Sequence, residues 1–164
     1  PEKGIRAILE ASRSHRLVEA GVVFVLAGDG ALSNEVNDAQ GESLRWVGRL
    51  SSSDISSLLQ QSDLLCLPTR SEGFATTLLE ASSCGCPSVV TDVGGARELF
   101  PNEHFGTIID SMDSSDVERA IFALVKDPDR LAEQSRLCRR MVENESSWDK
   151  TASLVEKVLS GTKR

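Results

Sequence analysis

Residues 64–91 read LLCLPTRSEGFATTLLEASSCGCPSVVT, and the fold is decided by how this stretch is parsed. Leu64 to Leu67 is an apolar run ended by Pro68, which reads as a buried strand. Leu78 to Cys84 reads as a short helix closed by Gly85, and Ser88 to Thr91 as a second apolar strand. A strand, a loop and a helix in that order put the loop at the carboxyl edge of a sheet, where open α/β folds bind their ligands. Glu72 and Glu80, eight residues apart, bracket Gly73-Phe74-Ala75-Thr76 across that loop and helix start. Gly73 permits close backbone approach, and free amides at a helix start attract anions such as phosphate. Two acids around an anion hole suit a ligand with hydroxyl groups on both sides of a phosphate, as in a nucleotide-sugar. Plainer readings stand beside this one. Thr77-x-x-Glu80 matches a capping box, and Glu72 alone is an ordinary exposed loop acid.

Working outward, the pattern predicts a helix from about Gly4 to Ala20 and a strand from Val22 to Ala27, stopped by Gly28-Asp29-Gly30. A short polar helix over residues 31–39 and a strand from Leu44 to Val47 follow, and Gly48 turns the chain. Ser53 or Asp54 is placed to cap a helix ending at Gln61. Beyond the central stretch come a Gly94-Gly95 loop, a short turn from Ala96 to Phe100 and a last strand from Phe105 to Ile109. Ser114 or Ser115 can cap the next helix, Pro128 opens another, and a C-terminal helix starts at Trp148. Unalternating apolar strands imply burial on both faces, as in a parallel sheet covered by helices. The expected fold is therefore α/β, a doubly wound parallel sheet with helices on both faces and the C-terminal helix packed across it.

At 164 residues the chain is long enough for one domain with one substantial core, with room for a trailing element. Lys and Arg number 18 against 25 Asp and Glu, a net charge of −7, so the basic field of a nucleic-acid or anionic-membrane surface is absent. No run approaches the ~18 apolar residues of a membrane span. Cys66, Cys84, Cys86 and Cys138 lack the usual metal-binding spacing and read as partly buried free thiols. His15 and His104 show no partner pattern, and no metal cluster can be assembled. Gly28-x-Gly30 lacks the third glycine of a dinucleotide fingerprint, which argues against NAD.

The glutamate pair with Gly73-Phe74 between its members resembles the C-terminal domain signature of the retaining glycosyltransferases with two Rossmann-like domains, glycosyl transferases group 1, family 4. The likeness extends along nearly the whole chain in order. Lys3-Gly4 resembles the family's Lys-Gly at the first helix, Ala27-Gly28-Asp29-Gly30 its glycine turn and Val47-Gly48 its base-side turn. Ser62-Asp63 with Leu67-Pro68, then Ala81 to Pro87, Thr91 to Glu98 and Phe105-Gly106, match later elements. The resemblance implies the Rossmann-like C-terminal domain of a GT-B fold, spanning residues 1–164, with the first strand and an N-terminal acceptor domain missing from this chain.

By position, the resemblance implies that Glu80 bonds the ribose hydroxyls and Glu72 the hydroxyls of the donor sugar. The amides of Phe74, Ala75 and Thr76 would hold the diphosphate, Lys3 would neutralise it, and Gly28, Gly48, Arg49 and Gly73 would complete the donor site. Ala75 stands where the family commonly has a second glycine, and an arginine usual upstream of Lys3 is absent. Arg70 is either an extra cation near the donor or a solvated charge, and Glu98 either caps its short turn or supports the pocket. The implied activity is transfer of a sugar, with retention, from a UDP- or GDP-linked donor to a sugar or lipid-linked acceptor, with no cofactor and no metal. The isolated chain would then be inactive. A cytoplasmic location is implied, any peripheral membrane association being left to the missing domain. The rival is a non-catalytic nucleotide-sugar binding or regulatory domain. A two-carboxylate glycosidase fits less well, because a helix start favours the ionised form of Glu80. An epimerase or a phosphorylase of the same fold should carry a different acid, histidine or lysine pattern.

Overall fold

The computed structural model describes residues 3–71, 76–146 and 148–161. In chain order the elements are α1 (Ile5–Ala11), α2 (His15–Glu19), β1 (Phe24–Ala27), α3 (Ser33–Asp38), β2 (Leu44–Gly48), α4 (Ser52–Gln61), β3 (Leu65–Leu67) and α5 (Thr76–Ser83). They continue with β4 (Ser88–Thr91), α6 (Ala96–Leu99), β5 (Thr107–Ile109), α7 (Ser114–Val125), α8 (Pro128–Glu145) and α9 (Trp148–Gly161). Every pairing between these strands is parallel. β1 pairs with β2, while β4 lies between β3 and β5. Among the described residues the ladder is interrupted between β1 and β3, so each of these strands ends its own sheet.

β4 explains why its sequence is apolar without alternation. All four residues are buried; Val89 joins a core with α1 and α7, and Val90 joins a second core with Leu78 of α5 and Ala96 and Leu99 of α6. Successive side chains of a strand point to opposite faces, so helices cover both. Fully burying each valine is worth about 1.5–3 kcal/mol. β3 follows the same rule, with Cys66 packed against the first core and Leu65 and Leu67 against the second.

β1 and β2 differ from expectation. Phe24 and Leu44 are buried, but Val25 is 39% exposed and Val47 43%, so among the described residues this pair is covered on one face only. The predicted first helix is two helices: Ser12 donates its hydroxyl to Leu9 O at 2.9 Å, and a turn through Ser14 closes α1 before α2 begins. α4 is capped by Ser51 rather than by Ser53 or Asp54, its Oγ accepting from Asp54 N at 3.2 Å. Asp113 rather than Ser114 or Ser115 occupies the N-cap of α7. Pro128 opens α8 as expected, with Asp127 Oδ1 accepting from Arg130 N at 3.0 Å. α5 starts at Thr76, which places Thr77 inside the helix and removes it as the cap of a box with Glu80. α9 is helical as predicted, but it is not packed across the sheet: Leu154, Val155, Val158 and Leu159 are 53%, 50%, 69% and 67% exposed. No other described element supplies an apolar surface over that stripe.

All four cysteines are free thiols, as the spacing suggested. Burial pushes the Cys66 thiol up to about 12. Burial and the neighbouring Cys138, Cys84 and Asp63 push Cys86 up to about 12.

Candidate functional site

The carboxyl ends of β1 and β2 are tied together by several bonds. Gly28, at φ +119°, takes a backbone conformation that side-chain-bearing residues rarely adopt. Its amide donates to Gly48 O at 2.6 Å, beside a register shift between Leu26 and Ala27. Its carbonyl accepts the indole N–H of Trp46 at 2.8 Å. Arg49 reaches Asp29 at 3.6 Å, and Gly30 N donates to Ser33 Oγ at 3.0 Å at the entry to α3. Trp46 N donates in turn to Gln40 Oε1 at 2.9 Å.

Against this turn lies a cavity of about 340 Å³, lined by Lys3 and Ile5 from the start of α1, Leu26 to Gly30 from the end of β1, Leu32, Ser33 and Val36 around α3, and Trp46. Its walls are mostly aliphatic and aromatic, with Lys3, Asp29 and Ser33 as polar points, the make-up of a small-molecule site. Between α1 and α3, Arg6 donates to both carboxylate oxygens of Glu35 at 3.2 and 2.8 Å, and those hydrogen bonds hold Glu35 below the usual carboxylate range.

The start of α1 is also fixed to β3. Gly4 has φ +60°, and a Cβ there would sit 2.0 Å from Pro68 O. Only glycine fits, and the contact brings Lys3-Gly4 to the point where the chain leaves β3 for residues 72–75. That exit is latched to β4. Thr69 N donates to Thr91 Oγ1 at 3.0 Å, Thr91 Oγ1 donates back to Thr69 O, and Thr69 Oγ1 donates to Ser71 O at 3.2 Å. Both threonines are buried, at 2% and 6% exposure.

Lys3 and Gly28 therefore line one cavity, and Gly48 and Arg49 belong to the adjoining, cross-linked turn. Thr76 and Glu80 stand on α5 with exposed side chains, outside the lining of that cavity. Glu72, Gly73, Phe74 and Ala75 lie outside the described residues, and so does the expected convergence of Glu72 with Glu80. Arg70 is exposed, and Glu98 sits exposed in the first turn of α6, where no side chain caps the helix. Both histidines have partners that the sequence pattern did not disclose: His15 meets Glu19 and His104 meets Glu133, each at 3.2 Å. Among the described residues no group of three or more His, Cys, Asp or Glu could hold a metal ion, and no helix is long and apolar enough to cross a membrane. Trp46, Thr69 and Thr91 were missed as site-shaping residues. Their only trace in the sequence is a tryptophan inside a strand and a threonine just after each of two apolar runs.

The sequence matches the glycosyl transferases group 1 family over residues 1–160. It is 26% identical to a glycogen synthase of Mycobacterium tuberculosis, over 99% of this chain and 41% of the relative. It is 34% identical to the Escherichia coli UDP-Gal:alpha-D-GlcNAc-diphosphoundecaprenol alpha-1,3-galactosyltransferase, over 74% of this chain and 32% of the relative. The chain thus spans well under half the length of these relatives. The C-terminal domain of a glycosyl transferase group 1 family protein (LpcC) from Francisella tularensis superposes with a TM-score of 0.78 at 19% identity, covering 90% of this chain and 81% of that one. Solved neighbours of this kind are GT-B glycosyltransferases, which agrees with the parallel sheets and flanking helices found here. By a match that runs almost from end to end, the chain belongs to glycosyl transferases group 1.

Proposed function

We propose that this chain is the nucleotide-sugar donor-binding domain of a glycosyltransferase, acting with a second domain that presents the acceptor and completes the cleft. The observation that carries this reading is the cavity at the carboxyl ends of β1 and β2, where Lys3 and the Gly28 turn meet. A lysine and an apolar slot at a sheet's carboxyl edge suit the charged and flat ends of a nucleoside diphosphate. The open edges of β1 and β3 support a further strand between them in the complete protein. The name of the E. coli relative, with its UDP-galactose donor and lipid-linked acceptor, supports a UDP-sugar and an acceptor of that kind.

In this reading Lys3 neutralises the diphosphate, amides of Phe74, Ala75 and Thr76 hold it, and Glu80 bonds the ribose hydroxyls. Glu72 orients the donor sugar so that its anomeric carbon faces the acceptor, and the sugar is transferred with retention. As the bond to the leaving diphosphate breaks, negative charge grows on its oxygen, and preorganised donors lower the barrier by stabilising that charge. The other domain contributes proximity and exclusion of water, so this chain alone binds donor and transfers nothing.

The test is titration calorimetry of UDP and GDP against this chain and the full-length protein, with Glu80→Gln and Glu72→Gln variants. Loss of a charge-assisted pair costs about 1.5–3 kcal/mol, so Glu80→Gln should weaken nucleotide binding about ten- to a hundredfold. Glu72→Gln should abolish transfer in the full-length protein while leaving UDP affinity within about twofold. Unchanged affinity in Glu80→Gln would reduce that residue to a surface acid.

A further inference from the structure

The β1–β2 turn is built more firmly than a strand end requires. Gly28 is bound at both of its backbone groups, its amide to Gly48 O at 2.6 Å and its carbonyl to Trp46 Nε1 at 2.8 Å. Asp29, the next residue, is held by Arg49 at 3.6 Å. Trp46 is itself anchored, its amide on Gln40 Oε1 and its ring packed against the main core. The same ring lines the cavity of about 340 Å³. One side chain therefore joins the hydrophobic core, the glycine turn and the cavity wall, and it does so through an N–H that no aliphatic residue or phenylalanine could supply.

We propose that Trp46 is the positioning residue of the donor site: its indole N–H fixes the Gly28–Gly30 turn, and its ring walls the cavity in which a nucleoside diphosphate sits. The proposal rests on the donor-binding reading and extends it to a residue outside the recognised motif. Fixing the turn before binding spares the ligand the cost of ordering it. Trp46 acts on the nucleotide through Gly28 and by closing one wall, and takes no part in bond breaking.

The chain holds two tryptophans, so Trp148→Phe leaves Trp46 as its single indole. In that variant UDP or GDP should quench or shift Trp46 emission, with a midpoint equal to the calorimetric Kd. Trp46→Phe keeps an aromatic wall but removes the N–H, and should lower nucleotide affinity about three- to tenfold, the worth of one neutral hydrogen bond. Trp46→Leu removes the wall as well and should lower it further. A purely structural tryptophan would lower the melting temperature on substitution but leave nucleotide affinity and the Trp46 signal alone. Calorimetric binding with no change in Trp46 emission, or with Trp46→Phe at wild-type affinity, overturns the proposal and leaves the donor reading standing. Failure of both nucleotides to bind the wild-type chain overturns the two together.

Discussion

A Cβ at position 4 would lie 2.0 Å from Pro68 O, well inside contact distance, and the backbone there is left-handed. Gly4→Ala must therefore push α1 away from β3 and carry Lys3 with it. Strain of this kind costs on the order of 1–3 kcal/mol or more, which urea unfolding would resolve. Gly21→Ala, also at positive φ but with nothing within 4 Å, should lose less, and equal losses would refute the steric account. Buried hydroxyls make a second contrast. Thr91 Oγ1 serves both backbone groups of Thr69, so Thr91→Val should cost about 1–3 kcal/mol by stranding them. Ser82 Oγ is buried with no hydrogen-bond partner among the described residues. Ser82→Ala, inside α5, should be neutral or stabilising. A matching loss at both sites would mean that burial, not pairing, sets the cost.

At the scale of elements, α9 makes a clear forecast. Its apolar stripe is half to two-thirds exposed, so Leu154→Lys and Val158→Lys should change the stability of this chain by less than about 0.5 kcal/mol. Leu124→Ala in α7, where the side chain is 1% exposed, should cost about 2–5 kcal/mol by thermal or urea unfolding. A large loss from either lysine would place α9 against the body. What the sequence disclosed follows the same logic of burial. β4 was readable to the residue because both of its faces are covered, so every position had to be apolar or small. The first helix looks continuous in the sequence because a helical stripe averages over the tight turn from Ser12 to Ser14. The apolar Val23 and Val25 give β1 the pattern of a strand with two covered faces, yet apolarity does not say which neighbour covers them. In the site, the glycine turn was legible from local conformational need. The Trp46–Gly28 bond was not, since it spans 18 residues and follows from the pairing of β1 with β2.

For the whole molecule, two sequestered thiols, Cys86 buried and Cys66 half-buried, set an alkaline limit for the folded chain. Cys66 and Cys86 ionise near 12 in the folded chain against an ordinary 9.0, because burial disfavours the thiolate. Above pH 9 the unfolded chain sheds protons that the folded chain keeps, so this contribution is intact below 9 and is lost as pH rises toward 12. The fall approaches about 1.4 kcal/mol per pH unit per thiol. Urea midpoints between pH 8 and 11 should decline, and Cys66→Ala should flatten the slope even if it lowers stability at pH 8; an unaltered slope would remove Cys66 as its source. The interruption between β1 and β3 carries a mechanical consequence. Phe24 and Leu44 on one side meet Val89 and Ile109 on the other within a shared oily core, without a ladder of backbone bonds. Such contact resists separation but has little directional stiffness, so the seam is soft to shear. A nucleotide gripped by the Gly28 turn and by α5 would span that seam as a strut, and the rigidity of the domain would come in part from its cargo.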